Sequence, residues 1–392
     1  MTPPNLAAGA PLQRCREVAL ARREVVEELG CLPGVTLHTL EETYQPPAAS
    51  CALHPPAPAF TPATRSTLVH HLLDVTRAAG FHSCHGLLAR GTCWLYEANP
   101  ANAAAPSRSS LAARAVLWRL LRRHWNPAAV PPGWWRPLAT PQPVASPLVL
   151  LSSHNNPNYH HWLTLPGLAP LMLQRRFGLV VEPGTRLALT ARPDQPPPSF
   201  LRPLLALVAP DLPVLEAAAL SAPRLRFALQ EHGSSVVVSP ELLAWWRAII
   251  RSLAFPAGPR RRLFISRRGA RTRRCLNEDA VMAHLAPLGF ARVDLEGMPV
   301  RRQLEAFASA SVVVGAHGAG LTNLVACREG ATLVELLPGE GPFNHYFLMA
   351  SCLGLCHGHL IGARPDPSSD DFTVAPDQLL ALLARCGIEA ER

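Results

Sequence analysis

The chain has 392 residues, 37 basic and 28 acidic side chains, and a formal charge of +9. Every basic side chain is an arginine, which excludes a Walker A lysine, a lysine Schiff base and a lysine general base. At 48% hydrophobic and 17% charged, the chain has the length for roughly two domains and the apolar content to fold without staples.

Residues 1–146 read as an N-terminal extension of helices and Pro/Ala-rich loops. Helical spacing predicts helices over 12–30, 66–80 and 110–125, the second opened by Ser66 and closed by Gly80. Segments 45–64 and 98–113 read as loops, and a proline-rich connector runs from Pro127 to Pro147. Residues 147–238 then alternate: a strand at 147–151, a helical segment at 160–178 broken by Pro166-Gly167, a strand at 184–191 and a short helix at 200–210. They form one expected domain, with part of 66–125 included. Ser239 and Pro240 open a linking helix within 239–259.

A second expected domain covers 260–375. Strands are predicted at 261–267, 290–297, 311–318, 332–338 and 358–363, with helices between them, and a final helix lies in 376–392. This alternation defines the α/β class, with a parallel sheet, right-handed crossovers and ligands beyond the carboxyl ends of the strands.

The ten cysteines form no CxxC pair and no disulfide framework, so reduced thiols and a cytoplasmic location are expected. No secretory h-region and no transmembrane run is visible, which leaves peripheral membrane association open. Arginines are dense only at 260–274, with no nucleic-acid module signature, so no nucleic-acid partner is expected.

The sharpest element is VVVGAHGAGLTN at 312–323, a buried strand entering a turn with three glycines and then a helix. Amides at such a corner attract phosphate, and glycines admit it closely. The backbone of Gly318, Ala319, Gly320, Leu321 and Thr322 would line it, with His317 donating to a diphosphate oxygen. The competing reading is a plain tight turn. Glu335 lies in the next strand; its oxygens suit ribose hydroxyls or an ion pair with an arginine. Arg267 ends the first strand of this half, and Arg273 or Arg274 precedes the helix start at Asn277 and Glu278. Guanidinium groups there would hold phosphate.

In the other half, His154, Asn155, Asn158, His160, His161 and Trp162 cluster after the strand at 147–151. One histidine suits a general base, and the remainder suit sugar hydroxyls or, alternatively, capping and core roles. No carboxylate completes a metal set, so no metal is expected.

The run from Ile265 to Pro338, with RRCLNED and HGAGLTN, resembles the C-terminal half of the family 61 glycosyltransferases. That family includes bacterial capsular-polysaccharide enzymes and eukaryotic xylosyl- and N-acetylglucosaminyltransferases. NYHHWL at 158–163 is similar to the family's Asn-aromatic-aromatic-His-Trp-Leu motif. The resemblance implies a GT-B-like architecture, with two facing Rossmann-like domains. It implies an inverting, metal-independent transfer from a nucleotide sugar, usually UDP-linked, to a glycan hydroxyl, with no other cofactor. Arg267, Arg273, His317 and the 318–322 amides would cradle the diphosphate, Asn277 would belong to the same donor site, and Glu335 would meet the ribose. His161 matches the His of the family's His-Trp pair. Two departures stand out: Thr164-Leu165-Pro166 where the family often has an acid, and Gly269-Ala270 where an acid often follows the Ser-Arg. The alternative is a GT-B shell that binds a nucleotide sugar or glycan without turnover.

Overall fold

A computed structural model describes Gly30 and residues 34–76, 82–84, 94–96, 142–151, 158–164, 167–190, 196–217, 220–232, 238–256, 258–339 and 343–389. Of the helices expected at 12–30 and 110–125, all but Gly30 lies outside the described residues. Two compact units emerge, residues 1–41 with 68–233 and residues 42–67 with 234–392.

The first unit is built on a six-stranded sheet. Its strands are β1 (Val35–Tyr44), β2 (Ser66–Thr76), β3 (Leu148–Leu151), β4 (Arg186–Thr190), β5 (Val214–Ala217) and β6 (Arg224–His232), in the order β1-β2-β6-β3-β4-β5. Strands β6, β3, β4 and β5 run parallel, and β2 pairs antiparallel with β6. Strand β2 corrects the helix expected at 66–80. Nearly all of its residues are buried, so both faces are covered and the period-2 alternation disappears. A continuous apolar run fits a buried strand as well as a helix, and β-branched Thr67, Val69, Val75 and Thr76 tip it toward the strand. Helices α1 (Tyr159–Thr164), α2 (Ala169–Arg176) and α3 (Leu201–Val208) belong to this unit.

The second unit opens with α4 (Pro240–Ser252), capped as its sequence predicts: Leu242 N–H donates to Ser239 Oγ at 3.0 Å. Glu42 accepts from Ser239 Oγ at 2.6 Å and from Glu241 N–H at 2.8 Å, placing a carboxylate at the positive end of the helix. Five parallel strands follow: β7 (Arg261–Ser266), β8 (Phe290–Asp294), β9 (Ala310–Ala316), β10 (Thr332–Leu337) and β11 (Cys356–Ile361). Helices α5 (Glu278–Leu285), α6 (Val300–Ala308), α7 (His345–Cys352) and α8 (Pro376–Arg385) accompany them. Phe264, Val312, Val314, Val334, Leu336 and Phe372 are among the residues packing one core. The sheet order is β8-β7-β9-β10-β11. The winding reverses at β7, so a crevice opens beyond the carboxyl ends of β7 and β9, where doubly wound sheets bind ligands.

The helix expected after the glycine turn forms as a 3-10 helix, Ala319–Ala326. Asn323 Nδ2 donates to the Gly320 carbonyl, three residues back, at 3.0 Å, which favours the tighter spacing. At the other edge, residue 51 extends β11: Cys51 N–H donates to His357 O at 2.8 Å and His359 N–H to Cys51 O at 2.9 Å. Among the described residues no helix is long and apolar enough to cross a membrane.

Candidate functional site

Arg267 leaves the end of β7 and lays its guanidinium against Gly318, where an added Cβ would overlap Nη1. The loop braces it, with Nη2 donating to Thr272 O at 2.9 Å and Nε to Arg273 O at 3.3 Å. Arg273 has a left-handed backbone, φ 60. Among the described residues neither Arg267 nor Arg273 forms an ion pair with a carboxylate. Three neighbouring arginines do, whereas the exposed Arg271 of the same loop forms no ion pair among the described residues. Arg268 meets Asp279 at 2.5 Å, Arg292 meets Glu278 at 3.2 Å, and Arg274 meets Asp371 at 2.6 Å. Of the two candidates Arg273 and Arg274, Arg274 is paired with Asp371, and Arg273 forms no ion pair among the described residues. Burial, then the Arg273 guanidinium, pull Arg267 below the usual arginine range. Two like charges held together without a counter-ion are a standing electrostatic cost, which an arriving anion removes.

His317 follows β9 and is buried beside this pair, with its ring against Phe343 at 4.9 Å and Tyr346 at 5.1 Å. Its Nδ1 lies 2.5 Å from Glu335 Oε1 on β10. Glu335 Oε2 lies 3.0 Å from His357 Nε2 on β11. Register explains the alignment. Gly315 pairs with Glu335, and Leu333, two residues before it, pairs with His357. Positions 315, 317, 333, 335, 357 and 359 therefore share one face of the sheet. Glu335 is 0% exposed with both oxygens engaged, which differs from the ribose contact expected of it. A carboxylate this deep is tolerated because two imidazoles satisfy it. Burial pushes its carboxyl up, and burial with Arg273 and Arg267 pushes His317 down to about 3.

The glycine corner is close-packed. Leu321 N–H donates to Gly318 O at 2.9 Å, and Tyr346 OH to the same carbonyl at 2.6 Å. A Cβ at Gly320 would come within 2.7 Å of Leu295 Cδ1. The side chains of Leu321 and Thr322 are buried, so their contribution to a ligand is limited to the backbone. The Leu321 amide is already engaged, which leaves the opening amides of 318–320 as the donors of the corner. Asn277, expected among the donor contacts, has both ends of its amide on Val374, at 2.7 and 3.0 Å, and pins the 371–374 segment beside α5.

In the first unit, His154 and Asn155 lie outside the described residues. Asn158 opens α1, its Oδ1 accepting from His160 N–H at 3.0 Å, so it caps rather than offering itself to a sugar. Trp162 is 1% exposed, a core side chain rather than a stacking platform; Gly167 is packed so close that a Cβ there would lie 2.7 Å from Trp162 Cε3. His160 is buried, with its ring 5.9 Å from that of His161. His161, half-buried, is the more exposed of the two.

Three residues of the site were not read in the sequence. His357 and His359 carried a signal, two histidines two apart in an apolar strand and hence on one face. Ser50, which bonds both at 2.7 and 2.8 Å, carried none, because it lies 307 residues from His357.

Fold and site together define a doubly wound α/β unit with two arginines beside a glycine corner at its switch point. Residues 143–334 match the family model of Glycosyltransferase 61. A beta-1,2-xylosyltransferase of Arabidopsis thaliana is 36% identical over 77 residues, 19% of this chain and 14% of that protein. Alpha-1,3-arabinosyltransferase XAT3 of Oryza sativa subsp. japonica is 39% identical over 84 residues, 20% of this chain and 14% of that protein. The chain thus matches about one seventh of these relatives' length.

Proposed function

We propose that the chain is an inverting glycosyltransferase. It moves a sugar from a nucleoside diphosphate sugar, UDP-linked, to a hydroxyl of a glycan, without a metal, on a GT-B-type pair of domains. The observation that carries this reading is the uncompensated pair Arg267 and Arg273 beside the glycine corner, inside the family 61 segment. Departure of the diphosphate concentrates negative charge on its oxygens. Preorganised guanidiniums and amides at that point stabilise the transition state more than the ground state. The acceptor hydroxyl attacks the anomeric carbon opposite the leaving group, and His161 takes its proton. The test is UDP release from a panel of UDP-sugars with xylan-type and other glycan acceptors, in the presence of a chelator. Acceptor-dependent release that His161→Ala lowers supports the reading; failure of every donor contradicts it.

A second reading, a module that holds a nucleotide sugar without turnover, is favoured by one observation. Helix α1 carries His161 but no acid, and its Asn158 and Trp162 serve cap and core. Binding of UDP with neither transfer nor hydrolysis would select it.

A further inference from the structure

Behind His317 runs a line of buried polar groups that the proposed transfer does not use. Glu335 bonds His317 and His357; Ser50 Oγ bonds His357 Nδ1 at 2.7 Å and His359 Nδ1 at 2.8 Å. All five side chains are under 9% exposed. Phe60 stacks on the His359 ring at 4.3 Å and closes the far end.

Donor and acceptor counting gives the line a direction. An ionised Glu335 accepts one N–H from each imidazole, so Nδ1 of His317 and Nε2 of His357 carry the protons. The Ser50 hydroxyl then donates to His357 Nδ1 and accepts from His359. His317 is left with a bare Nε2, which among the described residues has no hydrogen-bond partner and is not sealed from solvent. Such an imidazole cannot donate to a phosphate oxygen; it must first gain a proton. Burial and the two guanidiniums hold that proton off. The charged and titratable groups around the ring are Arg267 and Arg273 from the loop after β7, Glu335 from β10, His357 from β11, and His345 and Tyr346 from α7. His345 is itself held down to about 4, chiefly by burial. A diphosphate on the guanidiniums cancels their charge and brings an acceptor to Nε2, reversing both influences.

We propose that the Glu335–His317 pair, positioned by His357 and Ser50, takes up a proton from solvent when a nucleoside diphosphate docks on Arg267 and Arg273, so that donor binding is proton-linked. The proton comes from the buffer acid and no electron moves. The inference rests on the diphosphate reading of the two arginines. By reciprocity, affinity then rises up to about tenfold per unit fall in pH.

The test is calorimetric titration with UDP at about pH 8, where its terminal phosphate is ionised, in Tris and in Hepes. Their ionisation heats differ, so net uptake separates the two apparent enthalpies in proportion to the fraction of a proton taken up, whereas unlinked binding gives equal ones. His317→Gln, which keeps a donor without titrating, should bind UDP with equal heats. Ser50→Ala should bind UDP with a reduced difference, a readout that mere structural support would not move. Equal heats for the unmutated chain overturn the linkage and leave the binding reading standing. A difference that survives in His317→Gln overturns the assignment to this pair. Absence of UDP binding in both buffers overturns both readings.

Discussion

Arg273 holds its backbone at φ 60, a region where a side chain costs about 1 kcal/mol. Among the described residues it forms no ion pair with a carboxylate. Strain and unpaired charge at one residue, beside a glycine corner, are what a ligand site retains and a scaffold discards. Arg273→Gly should therefore stabilise the chain by about 1 kcal/mol in urea denaturation. It should also weaken UDP binding by about 10- to 100-fold, the loss of one charge-assisted contact of about 1.5–3 kcal/mol. Gly318→Ala makes the complementary case. Its methyl meets the far end of a flexible arginine, so stability should change by less than about 1 kcal/mol while UDP affinity falls with the displaced guanidinium. Unchanged affinity in either variant would detach these residues from the site.

At the scale of elements, the C-terminal strands were legible because each is a short apolar run followed by a polar or glycine turn. The cap at Ser239-Pro240 was equally plain. Strand β2 was not, because burial of both faces erases the period that separates strand from helix. The site was legible where it is local: Arg267, Arg273 and the 315–320 corner lie at strand ends in a motif. It was illegible where sheet register makes it. That Glu335 lies between two imidazoles follows from β9-β10-β11 pairing, and Ser50 enters from a segment of chain far away in sequence. Trp162 looked like a sugar platform because sequence gives an aromatic ring but not its cover. Gly167→Ala should destabilise the chain by about 1–3 kcal/mol, since its Cβ would lie 2.7 Å from Trp162 Cε3 and 2.8 Å from Trp162 Cα, neither able to yield cheaply. A melting temperature equal to that of the unmutated chain would refute the packing role.

Across the molecule, buried histidines set the response to acid. His317 is held down to about 3, and His345 and His359 to about 4, against an ordinary 6.5, with burial the first cause in each. A depressed folded-state value means the unfolded chain binds protons first. The stability these groups contribute is complete above about pH 6.5 and declines as pH falls toward 4. Glu335, pushed up, has the opposite sign: its contribution is complete below the ordinary carboxyl value and is lost as pH rises through the raised one. The melting temperature should fall from pH 6.5 to 4, less steeply in His359→Gln; identical slopes would contradict the assignment. The central claim is that the corner formed by Arg267, Arg273 and residues 317–320 holds a nucleoside diphosphate. The most direct measurement is UDP titration of the unmutated chain and of the Arg267→Ala/Arg273→Ala double variant, in chelator. The unmutated chain should bind saturably and the double variant at least about 100-fold more weakly at matched helicity; equal binding by both, or none by the unmutated chain, would rule out a diphosphate at this corner.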